Sequence, residues 1–417
     1  MRERSPLLPI FLIVLVDVLG FTIVIPLLAF YAEHFGASPL VATTIVSCYA
    51  VCSLISTPII GKLSDQYGRR PLLMISQAGT CLGFVIMGFS TALWMVFLGR
   101  ILDGLTAGNL ALAQAYISDH TKPENRAKAF GVIGIAFGIG FTFGPTLGGA
   151  LSKYGVHVPF LLAAGLSACS MLATYTLLPR DRPTAPPTTE AVTAPTGPGG
   201  KRPGAFDFAT YAEYFRRPGL RNLYLQFFLF TFSFSFFMSG FALFAERRFV
   251  FHDHAWSARE VGYLFGYSGV IGILWQGGLI GRLVKRYGEI RLVIAGFIAI
   301  AIAYTALGAI PGDDLLMIGI VATVTSFGNS VLRPVITSRI TQACGRHEQG
   351  TAIGISSSLN SFAMTIAPPV GGLLLTQHWL FAWAVAPAIV GALGLVAALA
   401  GGSTAPAVAA ESPSERA

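Results

Sequence analysis

Apolar residues in this chain occur in long runs that short polar segments separate. Each run is about 19 to 25 residues long, the length that a helix needs to cross the ~30 Å hydrocarbon core of a bilayer. Twelve runs are found, at about 7–31, 41–60, 72–90, 93–117, 129–152, 158–178, 222–245, 259–281, 292–310, 315–338, 351–375 and 381–400. Because a helix satisfies its own backbone polar groups in lipid, the pattern predicts an all-α polytopic membrane protein with twelve transmembrane helices.

One loop sequence occurs twice, 220 residues apart. GKLSDQYGRRPL at 61–72 and GRLVKRYGEIRL at 281–292 share the frame Gly-x-Leu-x-x-x-Tyr-Gly. Two further pairs repeat: Gly108-Asn109 as Gly328-Asn329, and Pro145, Gly148 and Gly149 as Pro368, Gly371 and Gly372. An internal duplication in an apolar chain is typical of secondary transporters, whose binding site lies between the repeats. We therefore expect two pseudo-symmetric six-helix bundles.

The chain divides into four parts. Residues 1–178 and 222–400 are the predicted N-terminal and C-terminal bundles. Residues 179–221 form a linker whose middle is rich in Pro, Thr, Ala and Gly, a flexible composition. The linker ends in aromatic residues beside Arg216 and Arg217, which predicts a short interfacial helix. The tail at 401–417 has the composition of a disordered segment.

Composition and charge placement support the membrane assignment. The chain is 53% hydrophobic and 12% charged, whereas soluble domains carry about 25% charged residues. The net charge of +8 does not indicate a nucleic-acid partner, because 22 of the 28 Lys and Arg lie in one set of loops and termini. The opposite set holds Lys153, Arg247, Arg248 and Arg259. The positive-inside rule predicts that both termini are cytoplasmic, in a multi-pass protein of the inner (plasma) membrane.

Three ionisable residues lie deep within the predicted spans: Asp17, Arg100 and Asp103. Such residues are costly in a membrane and mark functional sites. Asp17 lies roughly 15 Å into the first span, and Arg100 and Asp103 are i, i+3 neighbours on the fourth. Because proton exchange needs a carboxylate near a cation, we predict that these three residues couple transport to protons. The alternative is a buried salt bridge that only fixes packing.

The repeated loop predicts a conformational latch. Gly61 and Gly68 allow a tight turn, and Asp65 can bond to Arg69 or Arg70, or face a helix N-terminus of the other half. The alternative is a basic turn that only obeys the positive-inside rule. Lys285 stands at the position of Asp65 in the second copy, so the two loops are not equivalent latches.

Two further sets of residues are candidates for the transport path. The fifth span carries small residues for close helix approach and a proline that bends the helix, namely Gly138, Gly144, Pro145, Gly148 and Gly149. A substrate cavity for an amphipathic, planar solute is predicted from Gln114, Gln226, Phe230, Ser233, Phe237, Asn329 and Arg333. Helix packing is the alternative for both sets.

These motifs resemble the major facilitator superfamily. The loop at 61–72 resembles its loop-2/3 signature, GRILDG at 99–104 its fourth-helix motif, and GIAFGIGFTFGPTLGG at 134–149 the fifth-helix signature of its antiporters. VDVLG at 16–20 and LWMVFLGR at 93–100 resemble the twelve-helix drug/proton antiporters, which include the tetracycline-resistance exporters. This subgroup's third-helix acid is replaced by Gly83 and its second-helix Gln by Ser53, and the ninth span has no acid. The resemblance thus implies drug export without fixing tetracycline as the substrate.

Together these features predict secondary active export of a small, amphipathic organic compound, with a tetracycline-like drug as one candidate, in exchange for protons. The alternative is proton-coupled or facilitated transport of a metabolite such as a sugar or organic acid, and a transporter-like receptor or scaffold is a third reading. No nucleophile and base set, metal cluster or nucleotide-binding loop stands out, so we expect no enzyme activity, no cofactor and no metal. The expected partners are the substrate, protons and the bilayer, with the chain a monomer.

Overall fold

The computed structural model describes residues 7–120, 123–178, 208–312, 314–344 and 348–401. Helices dominate these ranges, and one short antiparallel hairpin is formed by β1 (Val250–Phe251) and β2 (His254–Ala255). The helices are α1 (Leu7–His34), α2 (Pro39–Tyr67), α3 (Arg69–Gly88), α4 (Leu93–Leu105), α5 (Asn109–His120), α6 (Pro123–Ser152), α7 (Val158–Leu177), α8 (Phe208–Arg216), α9 (Pro218–Arg248), α10 (Ala258–Leu274), α11 (Ile280–Tyr287), α12 (Glu289–Ala309), α13 (Leu315–Gln342), α14 (Gln349–Thr376) and α15 (Leu380–Gly401). A π-helical turn, Trp275–Leu279, joins α10 to α11.

Within the described ranges, twelve helical segments are long and apolar enough to span a membrane. This confirms the predicted fold class. Six segments, built from α1 to α7, form the first half, and six, built from α9 to α15, form the second. In the first half α1 packs on α6 and α7, and α3 packs on α4 and α7; in the second half α9 packs on α14 and α15, and α12 packs on α13 and α15.

Local sequence signals explain several helix ends. The sequence Ser257-Ala258-Arg259-Glu260 has the Ser-x-x-Glu order of a capping box, and Ser257 and Glu260 form this box at the start of α10. Gly68 and Gly288 separate α2 from α3 and α11 from α12, with φ values of 94° and 82°. This backbone conformation favours glycine, so the repeated Tyr-Gly pair makes the same sharp turn in both halves.

The molecule has two distinct ends. We call the end with the junctions at Gly68 and Gly288 the motif end, and the end with the β1–β2 hairpin the hairpin end. At the hairpin end the halves touch: α2 packs on α14, and α6 packs on α10. The backbone N–H of Leu40 donates to Thr376 Oγ1 at 3.0 Å, which ties the start of α2 to the end of α14.

Toward the motif end the halves separate. Four consecutive residues after α10, Gln276–Leu279, are exposed, and four residues cover every face of a helical turn. A Cβ atom built on Gly61 of α2, Gly281 of α11 or Gly354 of α14 would meet nothing within 4 Å. A cleft between the halves therefore opens at the motif end.

The linker is described only at its end. Helix α8 lies in the aromatic segment where a short helix is predicted, and the next residue, Arg217, forms an ion pair with Glu348 at 2.9 Å. Charge pairing with Glu348 raises the pKa of Arg217. The flexible middle of the linker and the disordered tail are predictions that fall on 179–207 and 402–417, outside the described residues.

Candidate functional site

The fourth span is broken next to its buried acid. The sequence predicts one continuous helix over 93–117, but α4 ends at Leu105 and α5 begins at Asn109. A break within a membrane is tolerated when other groups satisfy the freed backbone atoms. Here three hydroxyl groups do so: Ser56 Oγ donates to the Gly104 carbonyl at 2.6 Å, Thr57 Oγ1 donates to the Ala107 carbonyl at 2.8 Å, and Ser76 Oγ accepts from Gly108 N–H at 2.9 Å.

Arg100 and Asp103 form the predicted pair on α4. Arg100 Nη1 lies 2.6 Å from Asp103 Oδ2, and the two side chains are only 2% and 5% exposed. The guanidinium also lies over the ring of Tyr49, 4.2 Å from its centroid, a favourable cation–π position. The pair is therefore shielded from solvent, and its loss should lower the stability of the first half.

Asp17 lies beside this pair, on α1. Its carboxyl group adjoins the side chains of Ser170 and Gln77, and it lies within electrostatic range of Asp103. Gln77 Nε2 donates to Ser170 Oγ at 2.8 Å, so the polar groups around Asp17 form a connected chain. Asp17 Oδ1 is itself buried and has no hydrogen-bond partner. Two buried carboxylates thus lie within electrostatic range of each other, and one of them, Asp103, is paired with Arg100.

Gly83, at the position of the subgroup's third-helix acid, has no room for a side chain. A Cβ atom there would lie 2.7 Å from the Gly99 carbonyl oxygen and 3.2 Å from Asp103 Cβ. Helices α3 and α4 meet backbone to backbone at this point. Ser53, at the position of the second-helix Gln, only approaches Thr57 Oγ1, at 3.4 Å.

The residues of the loop motif contact their own half. Arg69 pairs with Asp65 at 2.6 Å and with Asp119, near the end of α5, at 2.9 Å. Arg70 is buried and donates to the carbonyl of Tyr175 at the end of α7. Asp65 therefore makes the predicted bond to Arg69, and within the described ranges it has no recorded contact with a helix N-terminus of the other half.

The glycine-rich face of α6 serves two interfaces. Cβ atoms built on Gly144 and Gly148 would meet Thr22 and Ile23 of α1 within 3 Å. One built on Gly149 would lie 2.7 Å from the Ala258 carbonyl of α10. Pro145 also belongs to this contact, since its carbonyl oxygen lies 2.6 Å from a Cβ built on Gly262 of α10. Gly138 differs from these, because nothing lies within 4 Å of its Cβ position.

The structure places four predicted cavity residues of α9 in the interior and not at the cleft. Gln226, Phe230, Ser233 and Phe237 do share one face, but all four are buried. Ser233 Oγ donates to the Pro387 carbonyl of α15, and the Phe237 ring stacks on Tyr304 of α12. The periodicity identifies the face correctly, but that face packs inside the second half rather than toward the cleft.

The remaining predicted cavity residues are placed differently. Gln114 is half-buried on α5, beyond the break, so a continuous helix no longer aligns it with Arg100. Asn329 is half-buried on α13, and its buried Oδ1 has no hydrogen-bond partner. Arg333 is exposed, although nine residues of α13 separate it from the motif end. An arginine within a span is unfavourable against lipid, and near the inner end of a span its long side chain can reach the membrane surface.

Sequence reasoning missed the ion pair that joins the halves. Glu33 Oε1 at the end of α1 lies 2.6 Å from Arg247 Nη2 at the end of α9. Both residues occur at span ends, where charges are expected on general grounds, and they are 214 positions apart. The one available signal is that Arg247 belongs to the small basic set on the cation-poor side.

Similar proteins give a consistent result. The model of the family described as Major Facilitator Superfamily matches residues 10–280 and 249–416. Tetracycline resistance protein, class B, of Escherichia coli is 29% identical over 366 residues, which cover 85% of each chain. Tetracycline resistance protein, class H, of Pasteurella multocida is 32% identical over 289 residues, 67% of each chain.

A solved structure agrees in fold. The crystal structure of the human organic anion transporter MFSD10 (TETRAN) superposes with a TM-score of 0.68 at 22% identity, covering 95% of this chain and 100% of that one. At this identity the likeness concerns the fold. Together with the twelve spans, the duplicated loop and the match of the family model over most of the sequence, it shows that the chain belongs to the Major Facilitator Superfamily of membrane transporters.

Proposed function

We propose that this transporter exports a small, amphipathic organic compound in exchange for protons, by alternating access between its two halves. The observation that carries the proposal is the pair of buried carboxylates Asp17 and Asp103, which lie within electrostatic range of each other and of which Asp103 is paired with Arg100. It lies within a first half whose contacts with the second half occur at the hairpin end. Access from the motif end and closure at the hairpin end describe one of the two states that alternating access requires.

The charge balance of these residues supports a coupling role. Arg100 is within bonding distance of Asp103 and compensates its charge. Asp17 keeps a buried oxygen without a partner, and an uncompensated buried charge is costly. Binding a proton removes that charge. Asp17 is thus the group that carries the exchanged proton, while Arg100 and Asp103 set its surroundings.

The placement of basic residues supports an orientation with the motif end in the cytoplasm. Of 28 Lys and Arg, 22 lie in loops and termini on this side, which the positive-inside rule assigns to the cytoplasm of the plasma membrane. Both chain termini are cytoplasmic on the same grounds. The state described here is then inward-open.

The loop at the motif end controls the change of state. In the inward-open state Asp65 is held by Arg69 within the first half. When the motif end closes, the carboxylate meets the start of a helix in the second half, where the helix dipole favours an anion. Gly61, Gly68, Arg69 and Arg70 shape and hold this loop.

The substrate is bound from the cleft, with Asn329 and Arg333 of α13 among its contacts. Asn329 has a buried Oδ1 without a hydrogen-bond partner, and Arg333 is exposed. The names of the tetracycline resistance relatives favour a drug as the substrate. The bare backbone contact at Gly83 means that a tetracycline-type compound is held without the third-helix acid of that subgroup.

Drug susceptibility of cells that express the chain tests the proposal. Expression should raise the inhibitory concentration of one or more amphipathic compounds, and a protonophore should abolish the protection. Purified protein in proteoliposomes should then move the same compound against its gradient when a pH gradient is imposed. Uptake of a sugar or organic acid in place of export would favour the metabolite transporter, and a failure to move any compound would contradict both.

A further inference from the structure

A second cavity lies inside the second half, at the motif end. Its volume is about 780 Å³. The start of α9, the α11–α12 junction and the ends of α13 and α15 line it, and it is open on one side. Among its lining residues, the charged ones are Arg286, Glu289, Arg291 and Arg339. The cavity is therefore net positive.

The three arginines form no ion pair with a described acidic residue, although Arg339 lies within electrostatic range of Glu289. Among the residues that the structure describes, none of the three has a carboxylate oxygen within 4.0 Å. The one acid in the wall, Glu289, already accepts hydrogen bonds at Oε1 from Ser338 Oγ and Gln342 Nε2, each at 3.1 Å. The guanidinium donors of the cavity are thus in excess over the acceptors around them.

A buried amide completes the wall. Gln226 lines the cavity and is only 1% exposed, yet its Oε1 has no hydrogen-bond partner. A buried polar atom without a partner costs free energy unless a bound group satisfies it. The cavity thus presents both unpaired cations and an unpaired amide to a polar occupant.

A comparison with the first half explains why the second half contains this cavity. The residues that match Glu289, Ile290 and Arg339 at the 220-residue offset are Arg69, Arg70 and Asp119. In the first half, Arg70 crosses from the α2–α3 junction to the end of α7, where it bonds to the Tyr175 carbonyl. Ile290 cannot make this bond, and the corresponding region of the second half contains the cavity.

The duplication also inverts the local charge. Asp65, Arg69 and Asp119 form an acid–base–acid set in the first half. Lys285, Glu289 and Arg339 occupy the matching positions in the second half, where the order is base–acid–base. The first set satisfies its cation within the protein. The second set has one more basic residue than acidic residues, and Arg286 and Arg291 increase this excess of positive charge.

We propose that this cavity binds a phosphate group. Guanidinium groups bind phosphate oxygens with paired, charge-assisted hydrogen bonds, and the unpaired amide of Gln226 can bond to a hydroxyl of the same ligand. A basic pocket between helices at the cytoplasmic surface suits the headgroup of an anionic phospholipid, given the orientation proposed above. A soluble phosphate ester carries the same chemistry.

Binding measured on the purified, delipidated full-length protein tests this site without any transport assay. Phosphatidylglycerol, phosphatidylcholine and glycerol 3-phosphate are each added, and retention is followed by native mass spectrometry and by the midpoint of thermal unfolding. Phosphatidylglycerol should be retained and should raise the midpoint, and phosphatidylcholine should do neither. In the variant Arg286→Gln with Arg291→Gln, affinity should fall roughly thirtyfold.

Two further variants separate charge from folding. Arg282→Gln removes a cation from the same helix but outside the cavity wall, and it should bind like the native chain. Ala343→Trp fills the cavity and keeps every charge, and it should lose binding. Tighter binding of glycerol 3-phosphate than of phosphatidylglycerol would identify the soluble ester as the ligand. Equal retention of phosphatidylglycerol and phosphatidylcholine, or unchanged binding in Ala343→Trp, would overturn the proposal whether or not the chain exports a drug.

Discussion

Glu33 and Arg247 belong to different six-helix halves, and their side chains form an ion pair of 2.6 Å at the hairpin end. Arg247 also approaches Glu246, its chain neighbour, at 3.4 Å. The guanidinium therefore lies between a carboxylate of each half. This contact lies at the closed end of the structure, and in the proposed alternating-access cycle it would break each time that end opens.

Loss of this pair should favour opening of the hairpin end. Glu33→Gln removes a partly buried ion pair worth roughly 1 kcal/mol, which shifts the equilibrium about fivefold. The measurement is disulfide formation between cysteines placed at Leu40 and Thr376, in a background without the native cysteines, and it should fall. Arg248→Gln is the matched control, because Arg248 bonds to the Gly308 and Ile310 carbonyls of its own half. Equal cross-linking in both variants would contradict a gate at Glu33.

The two acids that hold Arg69 should differ in their importance for transport. Asp65 and Asp119 are both about half exposed, and exposed pairs contribute about 0–1 kcal/mol, so neither Asp→Asn change should alter the unfolding temperature much. Asp65→Asn should abolish transport, because it also removes the proposed contact with the second half. Asp119→Asn should retain a substantial part of it. Equal transport rates in the two variants would reduce Asp65 to a local support of Arg69.

Asp17→Asn should uncouple transport while leaving the protein folded. The amide mimics the proton-loaded side chain, so gradient-driven export should stop while exchange of labelled for unlabelled substrate continues. Both rates are measured in proteoliposomes, with and without an imposed pH gradient. Uphill export at the native rate would exclude Asp17 as the proton carrier and pass that role to Asp103.

Asp103→Asn should instead damage folding. Arg100 is 2% exposed and pairs with Asp103, and a broken buried pair costs about 3–5 kcal/mol. Thermal unfolding in detergent should show a clear drop for this variant and little change for Asp17→Asn. If the double variant Arg100→Met with Asp103→Leu recovers stability but not export, the pair has a role in coupling beyond packing.

Gly262→Ala should prevent full closure of the hairpin end. The new Cβ would lie 2.6 Å from the Pro145 carbonyl and 2.9 Å from Gly149 Cα, and backbone atoms cannot move aside as a flexible side chain can. Transport should fall steeply. Gly277→Ala is the control later in the same span, where nothing lies within 4 Å of the new atom, and it should transport normally.

The orientation of the protein in the membrane can be measured by the accessibility of inserted epitope tags. Epitopes inserted at either terminus or in the linker at 179–207 should resist labelling from outside intact cells, because these segments lie on the side with 22 of the 28 basic residues. A tag at Asp253, in the hairpin, should be labelled. Labelling of the linker from outside would reverse the proposed inward-open assignment.

The sequence was informative where the relevant partners are local. Arg100 and Asp103 are three positions apart on a helix, so their pairing followed from helical geometry. The turn at Gly68 and the capping box at Ser257 are equally local. Periodicity also grouped Phe230 with Phe237, but it gives a shared face and not the direction of that face. The packing of Phe237 against Tyr304 of α12 and Trp383 of α15 could therefore not be predicted from the sequence.

The break in the fourth span shows the same limit. Thr106 and Ala107 do not disrupt a helix by themselves. The hydroxyl groups that stabilise the break come from Ser56, Thr57 and Ser76, which are 30 to 50 positions away. The sequence does carry one signal for this break, namely hydroxyl residues in two neighbouring apolar spans together with Gly104 and Gly108.

The same break gives α5 an unusual mechanical position. Just before the start of this short helix, the backbone N–H of Gly108 donates a hydrogen bond to Ser76 Oγ of α3. The other end is fastened to the loop through the ion pair of Asp119 with Arg69. A short helix with a fixed contact at each end can move as a rigid body between the two sites that it contacts. We therefore expect a displacement of the loop at the membrane surface to move this helix and, with it, the break that adjoins the buried Asp103.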